Sequence, residues 1–158
     1  MNKTLVEKIL QEASQMGISE FCICPGGRNA PFVPILSELE QRCYYWFEER
    51  SAAFFALGRA RITEKPVGVI VTSGTAAAEL LPACMEAYYS GVPLLLITAD
   101  RPRRFRESGA PQSAEQVGLF GKYATASWDL ALDEPCDLSG WNRASPAHLN
   151  VCFEEPLL

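Results

Sequence analysis

Val67-Gly68-Val69-Ile70-Val71 is an unbroken apolar run, and Thr72-Ser73-Gly74-Thr75 ends it abruptly. A strand covered on one face only alternates apolar and polar residues. A continuously apolar strand needs cover on both faces, as in a parallel sheet sandwiched by helices. The same pattern recurs on either side. Phe21-Cys22-Ile23-Cys24 runs into Pro25-Gly26-Gly27-Arg28-Asn29, and Leu94-Leu95-Leu96-Ile97-Thr98 into Ala99-Asp100-Arg101-Pro102. Cys43-Tyr44-Tyr45-Trp46-Phe47 and Ala147-His148-Leu149-Asn150-Val151 read as two further strands, and 123–128 as a candidate one.

Helical patterns separate these runs. Leu5, Val6, Ile9, Leu10, Ala13 and Met16 recur at helical spacing until Gly17 stops them. A second helix is predicted over 30–39, with Asn29 as N-cap and Pro31 in the first turn. A third is predicted over 50–63, opened by Glu48 and Glu49, and a fourth over 76–89. Residues 101–116 read as polar loop, and 130–145 show no helical period. Strands alternating with helices define an α/β fold: an open, mostly parallel sheet with helices on both faces.

The chain has 158 residues, the size of one domain with a self-sufficient core. Its net charge of −5 excludes global attraction to nucleic acid or an acidic membrane. No apolar run approaches the ~20 residues of a membrane span, and no signal peptide opens the chain. The expected location is therefore the cytoplasm. Cys22, Cys24, Cys43, Cys84, Cys136 and Cys152 form no CxxC pair, and His148 is the one histidine. A zinc site therefore has no ligand set, the cysteines read as reduced thiols, and any acid–base chemistry falls to a carboxylate.

Three strand ends feed polar turns: 25–29, 72–75 and 98–102. Ligands of open α/β sheets bind outside the carboxyl ends of the strands, where helix starts favour anions. Gly26 and Gly27 let backbone approach a ligand, and Arg28 offers a fork suited to carboxylate. Neither a Walker A loop nor a GxGxxG fingerprint is present. Glu49 stands where an aromatic strand becomes an Ala-rich helix, beside Trp46 and Phe47. Desolvation there favours a neutral carboxyl and the helix start favours the anion, a balance suited to proton exchange. The plainer alternative is that Glu48 and Glu49 only decorate a helix N-terminus. Arg101, Arg103, Arg104 and Arg106 form either a solvated loop or, with Arg28, a clamp for a substrate with several carboxylates.

Four segments occur together in order: Ile23-Cys24-Pro25-Gly26-Gly27-Arg28-Asn29-Ala30-Pro31, Phe47-Glu48-Glu49-Arg50-Ser51-Ala52, Val71-Thr72-Ser73-Gly74-Thr75-Ala76 and Thr98-Ala99-Asp100-Arg101-Pro102. Together they resemble the pyrimidine-binding (PYR) domain of the thiamine-diphosphate-dependent decarboxylases. Within that family, Thr98 to Pro102 is most similar to the synthases of the menaquinone pathway. The resemblance covers residues 1–128 and the closing stretch from Ala147. It implies that Glu49 is the catalytic residue, activating the cofactor through its aminopyrimidine ring. It further implies that Pro25, Gly26, Thr72, Ser73 and Gly74 line the cofactor. Arg28, Arg101 and Gln112 would bind the carboxylates of isochorismate, to which the family adds a four-carbon unit from 2-oxoglutarate.

Two departures fall on the substrate side. Gly27 and Asn29 replace two serines of the family's Pro-Gly-Ser-Arg-Ser, and Pro111 replaces the amide of Gly-Ala-Asn-Gln. The stretch 129–146 is too short for the family's usual last helix. The family's diphosphate and Mg²⁺ ligands lie on a separate C-terminal domain, through a Gly-Asp-Gly…Asn signature absent here. The expectation is thus one PYR-type domain over 1–158, the N-terminal part of a longer homodimeric or homotetrameric enzyme, inactive when isolated. An acetolactate-synthase-like carboligase with another acceptor, or a non-catalytic assembly domain, are the alternatives.

Overall fold

A computed structural model describes residues 2–158. The helices are α1 (Asn2–Gln15), α2 (Phe32–Glu38), α3 (Glu49–Thr63), α4 (Thr75–Ala78) and α5 (Leu81–Ser90). The strands are β1 (Glu20–Ile23), β2 (Arg42–Tyr45), β3 (Val67–Val71), β4 (Leu94–Asp100), β5 (Ala126–Leu130) and β6 (Ala147–Cys152). They form a single six-stranded sheet in the order β2-β1-β3-β4-β6-β5, parallel at every pairing.

Alternate residues of each strand enter two separate cores. Phe21, Ile23, Ile70, Leu95, Ile97, Leu149 and Val151 pack with α1 and α2 on one face. Cys22, Cys24, Val67, Val69, Val71, Leu94 and Leu96 pack with α3 and α5 on the other. Burial on both faces is what makes β3 and β4 apolar throughout. Cys22 and Cys24 share a face, as their spacing requires, and all six cysteines are free thiols.

Local chemistry shifts several boundaries. α2 starts at Phe32 after Pro31, with no side-chain cap. Asn29 is instead buried in the preceding turn, where its Oδ1 accepts from Gly26 N at 2.7 Å and its Nδ2 donates to Cys24 O at 2.9 Å. The helix predicted over 76–89 is two helices, α4 and α5. Pro82 lies in the first turn of α5, and it has no N–H to carry a helix through from α4. β2 ends at Tyr45, although Trp46 N still donates to Ile23 O at 2.9 Å; Phe47 leaves the sheet and is fully exposed. The late strand runs from Ala126 to Leu130, after a 3₁₀ turn over Gly121–Tyr123.

The chain leaves β1 for β2 on one side, while β3 leads on to β4 on the other. The carboxyl ends of β1 and β3 are therefore neighbours at the point where strand order reverses, the usual ligand crevice of such sheets.

Candidate functional site

The turn after β1 is built on that after β3. A Cβ on Gly26 would fall 2.6 Å from Thr72 Cβ, so only glycine allows this approach. Arg28 N donates to Thr72 Oγ1 at 3.1 Å, closing the contact. Gly74 has φ 80° and ψ −137°, a region that is essentially glycine's alone. The turns holding Pro25 and Gly26 and holding Thr72, Ser73 and Gly74 therefore pack together at the switch point, with Pro25 exposed, Gly26 half-buried and Thr72, Ser73 and Gly74 buried.

Glu49 reaches that edge from a third element. The register pairs Ile23 with Tyr45, so the chain leaving β2 runs beside Cys24 before α3 begins. Glu48 is the N-cap of α3, its carboxylate accepting from Arg50 N at 3.0 Å and Ser51 N at 2.8 Å. Those bonds, with one from the Ser51 hydroxyl first among the causes, hold its carboxyl below the usual range. The two adjacent glutamates thus divide the work. Glu48 caps the helix, and Glu49, half-buried in the first turn, makes no hydrogen bond or ion pair among the described residues. The Cys24 thiol is pushed up to about 12 by burial, then by the negative charges of Glu49 and Glu48. Trp46 and Phe55, 5.0 Å apart between ring centroids, form an aromatic wall at the α3 face.

The arginines are arranged differently from a five-membered clamp. Arg103 is engaged by Asp129 at 3.0 Å and Glu134 at 2.6 Å, Arg104 by Glu154 at 2.7 Å, and Arg106 by Asp129 at 2.7 Å. Arg28, 9% exposed, pairs with Glu155 at 2.8 Å, a carboxylate that is itself 55% exposed. Arg101 donates to Pro111 O at 3.1 and 2.6 Å. Gln112 donates to Ser73 O at 3.1 Å, and Ser73 Oγ returns a bond to Gln112 O at 3.0 Å. Arg101 and Gln112 thus lie at the Gly74 turn, whereas Arg103, Arg104 and Arg106 are neutralised within the chain.

Sequence reasoning missed a buried polar network on the same edge. Asn150 Oδ1 accepts from Thr98 Oγ1 at 2.9 Å and Gln116 Nε2 at 2.8 Å, while its Nδ2 donates to Asp100 at 3.0 Å and Asp129 at 2.8 Å. Because the Thr98 hydroxyl donates to Asn150, it must accept from His148 Nε2 at 2.8 Å. His148 is therefore the Nε2–H tautomer, with Nδ1 buried and unpartnered. Burial lowers its pKa to about 4. A signal was present: His148, Asn150 and Cys152 alternate with Leu149 and Val151 and must share one face of β6.

A doubly wound parallel sheet with two interlocked glycine turns at its switch point and an unpaired carboxylate on the same edge is of the class that binds a polar ligand beyond the strand ends. Residues 3–119 match the model of the thiamine pyrophosphate enzyme N-terminal TPP binding domain, and the chain belongs to that family. Among curated proteins it is 51% identical to a 2-succinyl-5-enolpyruvyl-6-hydroxy-3-cyclohexene-1-carboxylate synthase of Bdellovibrio bacteriovorus, over 99% of this chain. It is 50% identical, over 97% of the chain, to the protein of that name from Akkermansia muciniphila. A third, from Dechloromonas aromatica, is 39% identical over the whole chain. The chain spans about 30% of the length of these relatives: 30%, 29% and 32% respectively.

The site fits one end of thiamine diphosphate. An aminopyrimidine presents ring nitrogens and an amine, with which a half-buried carboxyl free of other partners can share a proton. Among the described residues, no three or more His, Cys, Asp or Glu side chains gather as a metal site. No helix is long and apolar enough to cross a membrane.

Proposed function

We propose that this chain is the pyrimidine-facing part of a thiamine-diphosphate-dependent synthase. The reaction is decarboxylation of 2-oxoglutarate and addition of the resulting four-carbon unit to isochorismate. The observation that carries it is Glu49, a half-buried carboxylate left free because Glu48 takes the cap. Support comes from relatives of that name at about half identity across the chain.

Glu49 would share a proton with a pyrimidine ring nitrogen, donating as the acid to the neutral ring and accepting as the carboxylate once the proton sits on the nitrogen, while Pro25, Gly26, Thr72, Ser73 and Gly74 would line the ring. When bound, thiamine diphosphate would supply a carbon nucleophile and an electron sink for decarboxylation of the 2-oxo acid. Arg28, Arg101 and Gln112 would bind the acceptor's carboxylates. Arg28 does so by exchanging the exposed Glu155 for the substrate's own carboxylate. Mg²⁺ and the diphosphate would be held by another part of a longer protein, working in the cytoplasm as a homodimer or homotetramer. Residues 1–158 would then form a single domain, without turnover by itself.

The test is Glu49→Gln in the intact protein. Turnover should fall by about 10²-fold or more, as for a lost proton-handling group, with the thermal midpoint unchanged. Near-normal turnover with 2-oxoglutarate and isochorismate would refute the role.

A further inference from the structure

Gly74 sits where glycine's freedom is a hazard. Its backbone occupies a region few residues tolerate, and glycine can leave it for several others at little cost. Something must select one conformer. The Gly74 N–H donates to Gln116 Oε1 at 2.8 Å, a bond formed across 42 residues of chain. Gln116 is 1% exposed, and its amide nitrogen donates to Ala99 O at 3.2 Å and Asn150 Oδ1 at 2.8 Å. Its orientation is settled by its partners, since Gly74 N can only donate and Ala99 O can only accept. One side chain from an irregular segment therefore ties the turn after β3 to β4 and β6. Asn150 is in turn fixed by Thr98, Asp100 and Asp129. The exposed Gln112 latches the same turn from outside, where water competes for each bond.

We propose that Gln116 is a positioning residue: by holding Gly74 N–H it fixes the 72–75 turn in the conformation that receives the cofactor's pyrimidine. The inference rests on the function proposed above. Gln116 itself touches neither cofactor nor substrate; it acts through the backbone of Gly74.

The test compares Gln116→Met and Gln116→Glu in the intact protein. Q116M removes all three bonds at similar volume; Q116E, kept protonated by burial opposite the two acceptors Ala99 O and Asn150 Oδ1, keeps an acceptor for Gly74 N–H and one O–H donor. Q116M should weaken the apparent dissociation constant for thiamine diphosphate by about tenfold, the size of one lost buried hydrogen bond. It should also speed amide exchange at Gly74 about tenfold, with the β1 and β3 amides unchanged. At about pH 6, where that buried carboxyl stays protonated, Q116E should remain within about threefold of wild type in both. Unchanged affinity in Q116M, or exchange that rises throughout the sheet, overturns the role. Should Q116M fail to fold, Q116E decides alone, because a tenfold loss there would show that the Gly74 contact is not what matters. E49Q serves as the control. If E49Q is dead and Q116M binds normally, only this inference fails; if E49Q is active, the function itself fails.

Discussion

The carboxyl ends of β1, β2 and β3 and those of β4, β5 and β6 share one edge of the sheet, yet they treat charge in opposite ways. At the first three, the chain presents glycine turns and leaves Glu49 without a partner. At the last three, Asp100, Asp129, Arg103 and Arg106 are all paired, and Asn150 bridges the two aspartates. Paired groups hold strand ends together; an unpaired, half-buried carboxylate contributes little to folding and is available to a ligand.

The sharpest way to break the contrast is Asn150→Leu. It leaves Asp100, Asp129, Thr98 and Gln116 short of partners in a buried setting, and should destabilise the protein by about 3 kcal/mol or more. Urea denaturation checks this, and a loss below about 1 kcal/mol would mean that water substitutes freely in the network.

His148 provides the next largest effect. Its pKa falls from 6.5 to about 4 in the folded protein because burial disfavours the imidazolium. The unfolded chain therefore binds one more proton between those values, so stability rises with pH across that window. It is fully present above about 6.5, and on the order of 3 kcal/mol is lost as pH falls to about 4. His148→Gln should flatten that part of the stability profile in denaturation series at fixed pH. An unchanged slope would place the acid sensitivity elsewhere.

The smallest effect sharpens the comparison from the surface. Arg104 and Glu154 pair at 2.7 Å, but Arg104 is 59% exposed. Arg104→Ala should change stability by no more than about 0.5 kcal/mol. A larger loss would make this arginine part of the buried network after all.

The three turns were legible because their signal is local: an apolar run followed by Gly, Pro or polar residues needs no knowledge of the rest of the chain. The same holds for Glu49 at a helix start, although not for the division of labour with Glu48, which depends on one residue's backbone angle. The run of arginines does not show in sequence that it is neutralised, because Asp129, Glu134 and Glu154 lie 23 to 50 residues away. Asn29 closes the 24–29 turn and caps no helix, because a preference for turns does not say which turn an asparagine closes. Gln116 carried no local mark.

Periodicity and turn chemistry, written in residues a few positions apart, settled the α/β class and the alternation of strands and helices. Only the tertiary structure decided which charges meet. Strand order inserts β6 between β4 and β5, so Asn150 stands between Asp100 and Asp129. Electrostatic neighbours depend on distance in space, and a parallel sheet sets those distances by topology, not by position along the chain.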